Sequence, residues 1–215
     1  MIKVKGAIFD LDGTLIDSMG MWRGFGDDFL RSQGIEPDES LSEVFRSFSR
    51  EQAAEYYIAQ GYLTATVEEI VSAMSHKVFS YYRDEVGLKP GAYELIKGLG
   101  DMGIPMCIAT ASDAVGAEAA LSRLGIRRFI SGIFSCTEIG HSKNEPYIYR
   151  AALELLGCEK SETVVFEDAL HALQTAKGDG FLTAAVYDAD EPRQDKMRQT
   201  ADLYLTDLSD FLKLI

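Results

Sequence analysis

The string Phe9-Asp10-Leu11-Asp12-Gly13-Thr14-Leu15-Ile16-Asp17-Ser18 sets two carboxylates two residues apart, at the end of a short apolar run. Acids this close repel one another in a buried setting unless a cation stands between them. Gly13 permits a turn that sends both side chains one way. All-oxygen donors of this kind suit a hard divalent cation such as Mg2+. The competing reading is a plain loop with aspartate as turn former. A second acid pair, Glu167-Asp168, closes the apolar run 163–166. It would add a further metal carboxylate, or Asp168 would cap a helix over 169–176.

Two other positions could meet a phosphoryl oxygen. Thr110, with the backbone N–H groups of the turn at Ala111, ends the run 104–109 and suits a phosphate contact. Ser112 or Asp113 could instead cap the helix that follows. Lys143, in Ser142-Lys143-Asn144-Glu145-Pro146, lies beside an expected helix start. A cation there opposes the helix dipole unless an anion lies between them. The alternative is a solvated lysine. Taken together, the groups comprise a nucleophile, a second carboxylate, a metal site and phosphate-neutralising donors, as phosphoryl transfer requires.

The elements that must position these groups alternate in type. Apolar runs at 4–9, 104–109, 129–134, 163–166, 181–187 and 203–205 read as strands. Helical spacing covers 92–102, 115–124 and 147–156, and each pattern stops at a glycine. Such alternation indicates βαβ units and a parallel sheet. Its crossovers should be right-handed, and its parallel strands put all their carboxyl ends, and so all four motifs, on one face. The stretch from Met19 to Val86 breaks the pattern with helical segments only. Ser49 with Gln52, and Thr66 with Glu69, fit capping boxes, while Pro37-Asp38 and Gly61 mark breaks. The expected division is a core of residues 1–18 and 87–215, with a helical cap over 19–86.

Composition narrows the partners. The net charge of −13 argues against nucleic acid and anionic membranes, which select basic patches. It leaves a small phosphorylated metabolite as the expected partner. The three cysteines are odd in number and fit no zinc spacing. No signal peptide or membrane-spanning run is read, so cytoplasmic residence is the expectation. A monomer is the expected state.

On Asp10-Leu11-Asp12-Gly13-Thr14, Thr110, Lys143 and Glu167-Asp168, the sequence resembles the haloacid dehalogenase-like superfamily, in the branch with a helical cap after the first strand. The resemblance covers essentially the whole chain. It implies an α/β, Rossmann-like parallel sheet core and a phosphatase. In such an enzyme Asp10 attacks phosphorus and forms an aspartyl-phosphate. Asp12 protonates the leaving oxygen and then activates water. Asp10, the backbone carbonyl of Asp12, and Asp168 hold Mg2+, with Glu167 assisting. Thr110, Ala111 and Lys143 bind the phosphoryl group. Members often continue the lysine motif as Lys-Pro-x-Pro-Asp, whereas this chain has Asn144 and Tyr147 in place of the first proline and the acid. Ala169 and Ala172 stand where the family usually has serine and glycine.

Substrate choice is expected in the cap. Ser49-Arg50-Glu51 resembles a triplet of the β-phosphoglucomutases, where the arginine binds a second phosphate. An exposed arginine in a first helical turn is the simpler reading. Trp22 stands where those mutases carry histidine, and either faces the site mouth or packs in the core. Arg50 and Trp22 are therefore the candidate substrate contacts. A sugar-phosphate mutase and a non-catalytic phospho-ligand module are the competing readings.

Overall fold

Short, predominantly apolar runs form fully covered strands when both faces are packed. In the computed structural model, which describes residues 2–37, 41 and 48–215, this happens at β1 (Gly6–Phe9), β2 (Met106–Thr110) and β4 (Thr163–Glu167), all buried at every residue. With β3 (Ile130–Ser135), β5 (Leu182–Val186) and β6 (Leu203–Leu205) they make one parallel sheet in the order β3-β2-β1-β4-β5-β6. The strand carrying the first motif is thus central, between the strands that carry Thr110 and Glu167. Asp38, part of an expected break, lies outside the described residues.

The chain divides into two compact units. The first comprises Met1–Asp17 and Val86–Ile215. Its helices are α4 (Ala92–Asp101), α5 (Ala114–Arg123), α6 (Cys136–Ile139), α7 (Tyr147–Leu156), α8 (Leu170–Gly178) and α9 (Gln194–Thr200). On one sheet face Ile8, Cys107 and Val165 pack with Ile148, Tyr149 and Ala152 of α7. On the other, Phe9 stacks on Phe166 at 4.4 Å, and Phe166 meets Phe211 edge-on at 4.9 Å. Those rings are fully buried and add apolar burial to the central strands.

The chain leaves and re-enters this unit at one place. Asp17 N–H donates to the Gly87 carbonyl at 3.0 Å and Lys89 N–H to Leu15 at 2.9 Å. Gly91 then opens α4 at φ +74°, and a Cβ there would meet Asp207 Oδ1 at 2.0 Å.

The second unit, Ser18–Glu85, holds α1 (Met19–Ser32), α2 (Arg50–Ala59) and α3 (Val67–Asp84). Both expected capping boxes are present, on Ser49 with Gln52 and on Thr66 with Glu69. Its core gathers Phe29, Leu30, Leu41, Ala54, Tyr57 and Met74. Two polar groups are tied into it: Tyr57 hydroxyl donates to the Gly26 carbonyl at 2.9 Å, and Asp27 accepts from Leu41 N–H at 2.7 Å.

Candidate active site

Parallel pairing decides which side chains meet. Phe9 is in register with Phe166, so the next residues, Asp10 and Glu167, emerge side by side at the carboxyl edge. Asp10 extends the ladder by one bond, its N–H donating to Phe166 at 3.0 Å. The chain then turns at Gly13, φ +80°, whose N–H donates back to Ile16 at 2.9 Å. Only a residue without Cβ takes that conformation cheaply. Thr110 ends β2 on the other side of β1. Lys143 comes from the segment between α6 and α7.

These groups converge. Lys143 Nζ donates to Asp10 Oδ1 and, at 2.8 Å, to Glu167 Oε1. Thr14 hydroxyl donates to Asp168 Oδ1 at 3.0 Å. Asp10, Glu167 and Asp168 each offer an oxygen within 4.8 Å of the others, and all three are buried. Asp12 accepts from Ser112 hydroxyl at 2.6 Å. Ser112 N–H donates to Thr110 Oγ1 at 2.9 Å, which engages that hydroxyl as acceptor and leaves its proton to be donated.

The charges do not balance. Lys143 is one ammonium among three buried carboxylates. Burial pushes the Asp10 carboxyl up to about 7, against the pull of Lys143. Burial, reinforced by Asp10 and Glu167, also pushes Asp168 well up. Burial lowers the Lys143 ammonium, but Asp10 and Glu167 outweigh it and hold the group above its ordinary value. An all-oxygen set with excess negative charge is the donor chemistry a hard divalent cation fits.

Several alternatives of the sequence fall away here. Lys143 is not solvated; it is 6% exposed and doubly paired. Asp168 does not cap α8, which starts at Leu170 with Ala169 before it. Its carboxylate turns to Thr14 instead, and Glu191 accepts from Leu170 N–H at 3.0 Å. Asp113, not Ser112, caps α5, accepting from Val115 N–H at 3.1 Å. Ala111 is exposed at the bend after β2. Arg50 and Trp22 belong to the helical unit: Arg50 Nη1 donates to Ser75 hydroxyl at 3.0 Å, and half-buried Trp22 lies 5.6 Å from Phe25.

Three polar partners escaped the sequence reading. Ser112 and Thr14 stood inside the motifs but carried no sign of their partners. Tyr149 hydroxyl donates to Glu167 Oε1 at 2.7 Å. Burial, with Glu167 beside it, pushes that phenol up, so it stays protonated. Nothing in its spacing from Lys143 marked it.

Known proteins share both sequence and fold with this chain. It is 27% identical over 209 residues to validoxylamine A 7'-phosphate phosphatase of Streptomyces hygroscopicus subsp. limoneus, covering 96% of this chain and 95% of that one. It is 24% identical to hexitol phosphatase B of Escherichia coli (strain K12), covering 97% and 94%. Among solved structures, CbbY from Rhodobacter sphaeroides in complex with phosphate superposes with a TM-score of 0.78 at 22% identity, over 97% and 96% of the two chains. β-Phosphoglucomutase from Clostridium difficile does so at 0.70 and 18% identity, over 96% and 92%. At those identities the structures speak for the fold. The model of the haloacid dehalogenase-like hydrolases matches residues 4–178, and with the sheet order and the acid cluster in place, the chain belongs to that family.

Proposed function

We propose that this protein is a Mg2+-dependent phosphatase that hydrolyses a small phosphorylated metabolite through an aspartyl-phosphate on Asp10. The observation that carries the reading is the buried bridge of Lys143 between Asp10 and Glu167, with Asp168 beside them. A nucleophilic carboxylate must approach an anionic phosphate, and fixed positive charge offsets that repulsion.

Asp10 attacks phosphorus as the bond to the leaving oxygen breaks. Asp12, held by Ser112, gives that oxygen its proton and the alcohol departs. Asp12 then takes a proton from water, whose oxygen attacks the phosphorus of the acyl phosphate. The bond to Asp10 breaks, and inorganic phosphate leaves with the carboxylate restored. Thr110, the backbone at Ala111, and Lys143 bind the phosphoryl oxygens. Asp10, the Asp12 carbonyl and Asp168, assisted by Glu167, are the residues that would hold Mg2+. When bound, that cation neutralises charge on the phosphoryl group and the carboxylates.

The helical unit is the proposed cap, with Arg50 and Trp22 its candidate substrate contacts. Relatives named for hexitol, fructose 1-phosphate and validoxylamine 7'-phosphate favour a sugar or polyol phosphate. No helix among the described residues is long and apolar enough to cross a membrane. Cytoplasmic residence as a monomer completes the reading. The test is a panel of phosphorylated metabolites, assayed with and without Mg2+ for both phosphate release and isomerisation. Mg2+-dependent release is expected. Isomerisation without release would instead make the protein a mutase.

A further inference from the structure

Tyr149 has no part in the chemistry above, yet its hydroxyl ends inside the acid cluster. Its ring is fully buried on α7, edge-on to Phe181 at 6.2 Å. A tyrosine so placed has little freedom, because core packing fixes both of its side-chain torsions. Its hydroxyl has one proton and two acceptors within reach: Glu167 Oε1 at 2.7 Å and the Ala172 carbonyl at 3.5 Å. The shorter, charge-assisted bond takes the proton.

Lys143 Nζ donates to the same oxygen at 2.8 Å. Glu167 Oε1 therefore receives one donor from the rigid core and one from the reacting centre, while Oε2 takes neither. A buried tyrosine must satisfy its hydroxyl somewhere, and a backbone carbonyl would suffice for stability alone. Here the partner is a carboxylate of the proposed cation site.

We propose that Tyr149 is a positioning residue, clamping Glu167 so that one oxygen anchors Lys143 against Asp10 and the other is presented to the cation. The proposal rests on the Mg2+ site proposed above. A partner behind a metal carboxylate commonly governs affinity in this way.

The test is Mn2+ binding by electron paramagnetic resonance, without substrate, on wild type, Tyr149→Phe, Glu167→Gln and the double variant. Phenylalanine keeps the ring contacts, and circular dichroism verifies the fold. Tyr149→Phe should weaken Mn2+ about tenfold. In the Glu167→Gln background the same change should add nothing, since the two act through one bond. Wild-type affinity in Tyr149→Phe, or an equal loss in both backgrounds, would overturn the proposal. A wild type that binds no Mn2+ would overturn the cation site itself, and the clamp with it.

Discussion

At the scale of residues, the site is a problem in electrostatics. Three buried carboxylates face one ammonium. Asp10 and Asp168 have folded-state pKa values above their unfolded ones. Their contribution to stability is therefore fully present below the unfolded carboxylate range. It is lost as pH rises through the folded values, about 7 for Asp10. A cation needs these groups deprotonated and repays the repulsion. The rise in unfolding temperature on adding Mg2+ should accordingly grow between about pH 5 and about pH 8; a rise independent of pH would contradict this. Lys143→Met should destabilise the protein by about 3 kcal/mol at the alkaline end and less at the acid end, where Asp10 is protonated. Denaturant unfolding at the two pH values measures the difference. Ser112→Ala removes the donor on Asp12 and should lower kcat/KM about tenfold, with substrate-free stability little changed. Steady-state kinetics on an aryl phosphate measures it. Asp10, Thr110, Lys143 and Glu167-Asp168 were legible in the sequence because each ends a strand or precedes a helix. The Ser112–Asp12 and Tyr149–Glu167 bonds were not. They depend on how strands and helices dock, which local spacing does not encode.

At the scale of elements, the strands and helix stops could be read because apolar runs and terminal glycines are local signals. Capping boxes were legible for the same reason, since both partners lie within one turn. The sequence leaves the start of α8 open between two readings of Asp168. Asp168 has the right residue type and place, but Thr14 claims its carboxylate and the helix starts later. Gly91 carries no local signal of its role. Its φ of +74° and the 2.0 Å approach of a Cβ to Asp207 make it indispensable to the start of α4. Gly91→Ala should cost at least about 2 kcal/mol, read as a lower denaturant midpoint. Unaltered stability would show that the loop of Asp207 gives way freely.

At the scale of the whole molecule, the parallel sheet and the helical insert followed from the alternation of runs and its interruption. The strand order did not, since pairing between distant strands leaves no trace in one sequence. The insert leaves and returns through adjacent backbone, Asp17 to Gly87 and Leu15 to Lys89. This separates the proposed chemistry, on one unit, from the proposed substrate selection, on the other.

The central claim is that Asp10 is the nucleophile. The direct test is Mg2+-dependent turnover of p-nitrophenyl phosphate by the full chain and by Asp10→Asn. The variant removes one of three crowded carboxylates and leaves Lys143 paired with Glu167. It should fold, unfold no earlier than wild type in the absence of metal, and show no turnover. A folded Asp10→Asn protein that still hydrolyses the ester at the wild-type rate would contradict the account.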